Sequence, residues 1–124
     1  MSTAWHDLRP SLYPDPYVFA QVPEVPPGTS GGPGPFAVIR EDEGTTLVLT
    51  QAQADRLGLA YGYLAARITL TIGSDLAAIG LTAEVSRVLA QAGISCNVIA
   101  GLAHDHLFVD FERGREALGL LERL

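Results

Sequence analysis

Over residues 66–72 the order Ala-Arg-Ile-Thr-Leu-Thr-Ile alternates between apolar and polar, which predicts a strand with Ile68, Leu70 and Ile72 on its buried side. Leu81, Val85, Val88, Leu89 and Ala92 then recur at helical spacing, and Gly93 ends the run, so a helix covers that sheet. Ile94, Cys96, Val98 and Ala100 alternate with Ser95, Asn97 and Ile99. After Gly101 the alternation resumes over residues 107–111, and the two stretches predict a hairpin. Residues 113–124 close the chain as a helix with Ala117, Leu118, Leu121 and Leu124 on one face.

The first half is punctuated differently, because all eight prolines lie within the first 35 residues and confine regular helices to positions beyond them. Residues 17–22 (Tyr-Val-Phe-Ala-Gln-Val) predict an edge strand between Pro16 and Pro23, and residues 23–35 a loop rich in proline and glycine. Strands are expected at 36–40 and 45–49, joined by the turn Glu41-Asp42-Glu43-Gly44. Thr50 is placed to cap a short helix over 51–57 that stops at Gly58.

The order of elements forms an internal repeat. One half reads strand, loop, strand, strand, helix, strand, and the other strand, helix, strand, strand, helix, with the Ile68 strand ending one and beginning the next. The first half has exchanged a helix for the proline loop, and the second lacks a last strand. The Tyr17 strand or a partner chain is expected at that open edge, since a bare inner edge invites aggregation. The expected organisation is an N-terminal extension over 1–16, a degenerate half over 17–65 carrying the loop 23–35, and a complete half over 66–124.

At 124 residues with 48% hydrophobic positions, the chain is expected to form one compact core. Fourteen acidic against eight basic residues leave a formal charge of −6, which disfavours nucleic acid and anionic lipid as partners. Every basic residue is arginine, so lysine Schiff-base chemistry and a phosphate-loop lysine are excluded. Cys96 is the single cysteine, which rules out an intrachain disulfide and fits a reducing cytoplasm. The nearly apolar run 57–66 is far shorter than the roughly 20 residues of a membrane span, and residues 1–10 have no apolar signal core.

The stretch Ile79-Gly80-Leu81-Thr82-Ala83-Glu84-Val85, followed by Leu89-Ala90-Gln91-Ala92-Gly93-Ile94-Ser95-Cys96-Asn97-Val98-Ile99, resembles an ACT domain, the module that senses amino acids in metabolic enzymes. With the hairpin at 40–44 and the run from Asn97 to His104-Asp105-His106, the chain from about Tyr17 is similar to small stand-alone bacterial ACT proteins of unassigned function. It is more distantly similar to tandem-ACT arginine sensors and aspartokinase regulatory regions. The resemblance implies an α+β, ferredoxin-like βαββαβ fold in two ACT-like halves, an antiparallel sheet with helices on one face. It also implies a regulatory module without catalysis, a homodimer or larger assembly, and an amino acid or similar small molecule as ligand.

In such modules the effector sits where the first strand turns into the first helix, often between two modules. The corresponding residues are Ser74, Asp75, Ile79, Gly80, Leu81 and Thr82, with Asn97, Val98 and Ile99 from the next strand. Amides at the start of the Leu81 helix suit an α-carboxylate. Asn97 matches a position at which the resemblance implies a contact to the ligand's amino group.

Other chemistry-bearing residues favour structural roles. His104 and His106 share a face at a spacing that suits a metal, but no third ligand is evident, and Cys96 falls among apolar neighbours as an inert thiol. Ser95, His104 and Asp105 lack a nucleophile elbow, Asp42 and Glu43 read as a solvated turn, and Pro33 interrupts any phosphate cradle in 31–34. No catalytic residue, cofactor or metal is expected. A competing reading is an interaction module that uses the polar and aromatic face of Thr69, Thr71, Asn97, His106 and Phe108.

Overall fold

Alternation and helical spacing resolve into β1 (Pro10–Leu12), β2 (Tyr17–Val22), β3 (Ala37–Glu41), β4 (Gly44–Thr50), α1 (Gln51–Leu57), β5 (Ala65–Leu70), α2 (Leu81–Gln91), β6 (Cys96–Ala100), β7 (Asp105–Asp110), a 3-10 turn (Phe111–Arg113) and α3 (Gly114–Glu122). The computed structural model describes residues 8–27, 33–71, 76–77 and 79–124. Ile72, expected on the buried side of the Ile68 strand, lies outside them. Within the described residues the chain forms two units, residues 15–65 and residues 8–14 with 66–124, each with its own apolar cluster. The expected single core is thus two. Residues 66–70 pack with α2 and α3, while α1 packs with β2 and β4.

In the unit 15–65, β2 pairs antiparallel with β4 from Tyr17↔Thr50 to Val22↔Thr45, and β4 pairs with β3 across the turn after Glu41. Tyr17 pairs on its other side with Ala65. The Tyr17 strand is therefore an inner strand, not the expected edge: its prolines stand just outside it, at 16 and 23, so none of its own residues lacks an N–H. Thr50 accepts from the Gln53 N–H while Gln53 reaches back to the Thr50 N–H, a capping box that starts α1, and Gly58 ends it at φ 70°. Val18, Ala20, Val22, Leu47, Leu49 and Ala54 form the core. The spatial order is β3-β4-β2-β5, with β5 represented by Ala65.

In the other unit the order is β6-β7-β5-β1. Both units thus place the second strand at one edge, the third beside it, then the first, then the fourth. The fourth strand of this unit is β1, paired Pro10↔Leu70, Ser11↔Thr69 and Leu12↔Ile68. The edge expected to take the Tyr17 strand or a partner chain is filled by residues 10–12, whose sequence had suggested an extension outside both halves. Proline is tolerated at such a position because only one side of the strand is called on to pair. Leu8 is 3% exposed in the same cluster as Ile68, Leu70, Leu81, Val85, Leu89, Leu107, Val109 and Leu121. No helix among the described residues is long and apolar enough to cross a membrane.

Candidate functional site

The strand-to-helix turn implied by the resemblance ends at Gly80, which enters α2 at φ 106°, a left-handed conformation that glycine adopts without steric cost. Gly80 offers no side chain to cap the helix, and its carbonyl accepts the first intrahelical bond from the Glu84 N–H at 3.0 Å. Among the described residues no side chain caps the amides of the first turn. Leu81 is buried in the core and anchors the turn, whereas Thr82 is exposed and Ile79 is 90% exposed. Glu84 is held by Arg87 through two contacts, 3.0 Å from Nε and 2.7 Å from Nη2, which lowers the Glu84 carboxyl below its ordinary pKa. Ser74 and Asp75 lie outside the described residues.

Asn97 stands elsewhere. It is exposed on β6, cross-strand from Phe108, on the face opposite the one that Cys96 and Val98 turn toward α2 and the core. Ile99, half-buried, shares the Asn97 face and pairs with His106. One chain therefore groups Ile79, Gly80, Leu81 and Thr82 at the start of the helix and puts Asn97 and Ile99 on the other side of the sheet. Val98 faces inward.

The helix-free face of this unit is less open than its sequence implies. Phe108 is 0% and Thr69 3% exposed, so neither is available as a contact surface, while Thr71 and Asn97 remain exposed. The Thr69 hydroxyl lies 2.9 Å from His106 Nδ1, and the Arg67 guanidinium stacks 4.0 Å from the Tyr13 ring centre. Burial, then Arg67 and His104, pushes His106 below its ordinary pKa, with Asp105 opposing. The rings of His104 and His106 are 6.4 Å apart, and no group of three potential metal ligands occurs among the described residues. Burial raises the Cys96 thiol to about 11, well away from a nucleophile's range.

A cleft of about 380 Å³, whose lining includes Tyr13, Phe111 and Arg115, has no counterpart among the sites expected from sequence. Its one sequence signal is the break between the alternation ending near Phe111 and the helical spacing that resumes at Ala117. The 3-10 turn fills that break.

The model of the ACT domain matches residues 2–66. The chain is similar to a solved protein of unknown function from Vibrio cholerae, described as a possible transport protein, at 44% identity and a TM-score of 0.82, covering 92% of this chain and 86% of that one. A protein from Agrobacterium tumefaciens is similar at 20% identity and a TM-score of 0.69, with coverages of 86% and 81%. Aspartokinase alpha and beta subunits are similar at 13% identity and a TM-score of 0.58, with coverages of 90% and 93%. These last two likenesses show the fold alone. No curated protein matches the chain.

Proposed function

The chain belongs to the ACT domain family, and from that premise we propose that it is a cytoplasmic regulatory module that binds an amino acid and carries out no chemistry of its own. The observation that carries this reading is the start of α2. A glycine entry without a capping side chain leaves the first-turn amides free to take a carboxylate, and the helix dipole adds to the attraction. Exposed Ile79 offers an apolar contact beside them, and Ser74 and Asp75 belong to the same turn by sequence.

Asn97 completes the site only if it comes from a second copy, because within one chain it projects from the opposite face of the sheet. β6 is the edge strand of its unit and Asn97 is exposed on it, so a second copy can reach that side chain. In this reading the protein is a homodimer, with each ligand's carboxylate on the α2 amides of one copy and its ammonium on Asn97 of the other. Val98, turned inward, supports the strand.

A thermal-shift panel of the twenty amino acids tests the proposal. At a ligand concentration about a hundredfold above the dissociation constant, binding adds about 2.7 kcal/mol of stability, which raises Tm by several degrees for a chain of this length. Thr82→Glu puts a carboxylate where the ligand's should sit and is favourable for the free helix, so it abolishes the response without lowering the unliganded Tm. A panel without any response would remove the reading.

A further inference from the structure

The cleft of about 380 Å³ lies at the far end of β5 from the start of α2, and the proposed regulatory site makes no use of it. Ala66 borders the cleft, whereas Leu70, four residues and about 13 Å along the strand, leads into the α2 turn. The floor is where α3 meets β5. A Cβ on Gly114 would come within 2.9 Å of the Ala66 Cβ and 3.3 Å of the Leu12 Cδ1, so the helix sits as low as it does because this residue is glycine. Tyr13 and Phe111 supply aromatic walls, and exposed Glu112 and Arg115 stand at the opening.

The charges at the opening are uncommitted. Arg87 pairs with Glu84 and Arg113 with Glu116, but Arg115 and Glu112 make no ion pair among the described residues. The unit 15–65 has a notch at the equivalent strand-to-helix junction, which offers a comparison. It measures about 240 Å³, and its lining of Asp15, Pro16, Thr50, Gln51, Ala52 and Asp55 contains no arginine and no aromatic ring. There the strand runs directly into a capped helix, and the Gln51 N–H bonds to the Pro16 carbonyl at 2.9 Å. In the other unit the 3-10 turn separates strand from helix, and the wider cleft lies beside it.

We propose that this cleft binds a small zwitterion with an apolar or aromatic body. The body lies over Ala66 between Tyr13 and Phe111, an anionic group meets Arg115, and a cationic group meets Glu112. The volume is at the low end for ligand pockets, which suits one amino-acid-sized molecule. A polyanion is disfavoured because Glu112 stands beside the one arginine in the lining, and a metal ion because that carboxylate is alone. The site is independent of the α2 reading, and the two fail separately.

Amide-resolved NMR titrations of the whole protein with L-phenylalanine, 3-phenylpropanoate (no ammonium) and 2-phenylethylamine (no carboxylate) test this. L-Phenylalanine is expected to give saturable shifts at Tyr13, Ala66, Gly114 and Arg115. Each truncated compound should bind about tenfold more weakly, as should L-phenylalanine to Arg115→Gln or Glu112→Gln. Both substitutions are at exposed positions and should leave the remaining spectrum unchanged. Absence of saturable shifts at the cleft, or shifts confined to residues 79–82, would overturn the proposal. Equal affinity for 3-phenylpropanoate and L-phenylalanine, or wild-type affinity in both variants, would also overturn it.

Discussion

Gly114 and His106 show how single side chains set local geometry in the unit that carries the candidate site. Gly114→Ala forces a Cβ against Ala66 and Leu12 where flexible relief exists only on the leucine side. It should therefore cost about 1–3 kcal/mol, readable as a lower urea midpoint at unchanged slope. A wild-type midpoint would mean that α3 is not held so close to β5. His106 is shifted below its ordinary 6.5 by burial and by Arg67 and His104. The unfolded chain then binds the proton more readily than the folded one. The stability His106 contributes is present above about pH 6.5 and is lost as pH falls through the lower folded value. Denaturation measured from pH 7.5 to 5 should show a steeper loss in the wild type than in His106→Asn, and identical slopes would assign the acid sensitivity to other groups. The parity that placed Cys96 with Ile94 and Val98 was visible in the sequence, because strand alternation is set by local geometry alone. The Tyr13–Arg67 stacking was not, since nothing local links residues so far apart.

At the scale of elements, strong periodicity was legible and short or transitional pieces were not. The strand over Tyr17–Val22, the helix capped by Thr50 and ended at Gly58, and the amphipathic α2 all arise from patterns several residues long. Three-residue β1 contains a proline and no full period of alternation, so its pairing with β5 comes from tertiary packing rather than from its own sequence. The 3-10 turn Phe111–Arg113 likewise blurred the start of α3. Leu8, two residues before β1, is integral for the same tertiary reason and lies in the main cluster of its unit. Leu8→Ala should lower stability by about 2–4 kcal/mol in equilibrium unfolding. A loss below about 0.5 kcal/mol, the range of ordinary surface changes, would show that residues 8–14 only lie along the unit.

On the scale of the whole molecule, two units with the same strand order arise from one sequence in which the repeat was legible as an order of elements. The residues that carried the ACT resemblance most clearly lie at 79–99, yet the family model matches residues 2–66, the half read as degenerate. The strand order of that half is framed by the sheet pairing from Tyr17↔Thr50 to Val22↔Thr45. The entry into α2 at Gly80 and Leu81 was legible, because local backbone geometry decides it, whereas the face on which Asn97 stands was not, because it depends on a strand several elements away.

A ligand shared between the α2 start of one copy and Asn97 of another can be tested by mixing two variants that each break one half of the site. Thr82→Glu and Asn97→Ala are refolded together, and binding of whichever amino acid shifts the wild-type Tm is measured by calorimetry on the mixture and on each variant alone. Binding should be strongly weakened in each variant alone and partly recovered in the mixture, where mixed dimers contain one intact site. Wild-type affinity in Asn97→Ala alone, or no recovery on mixing, would contradict a shared ligand.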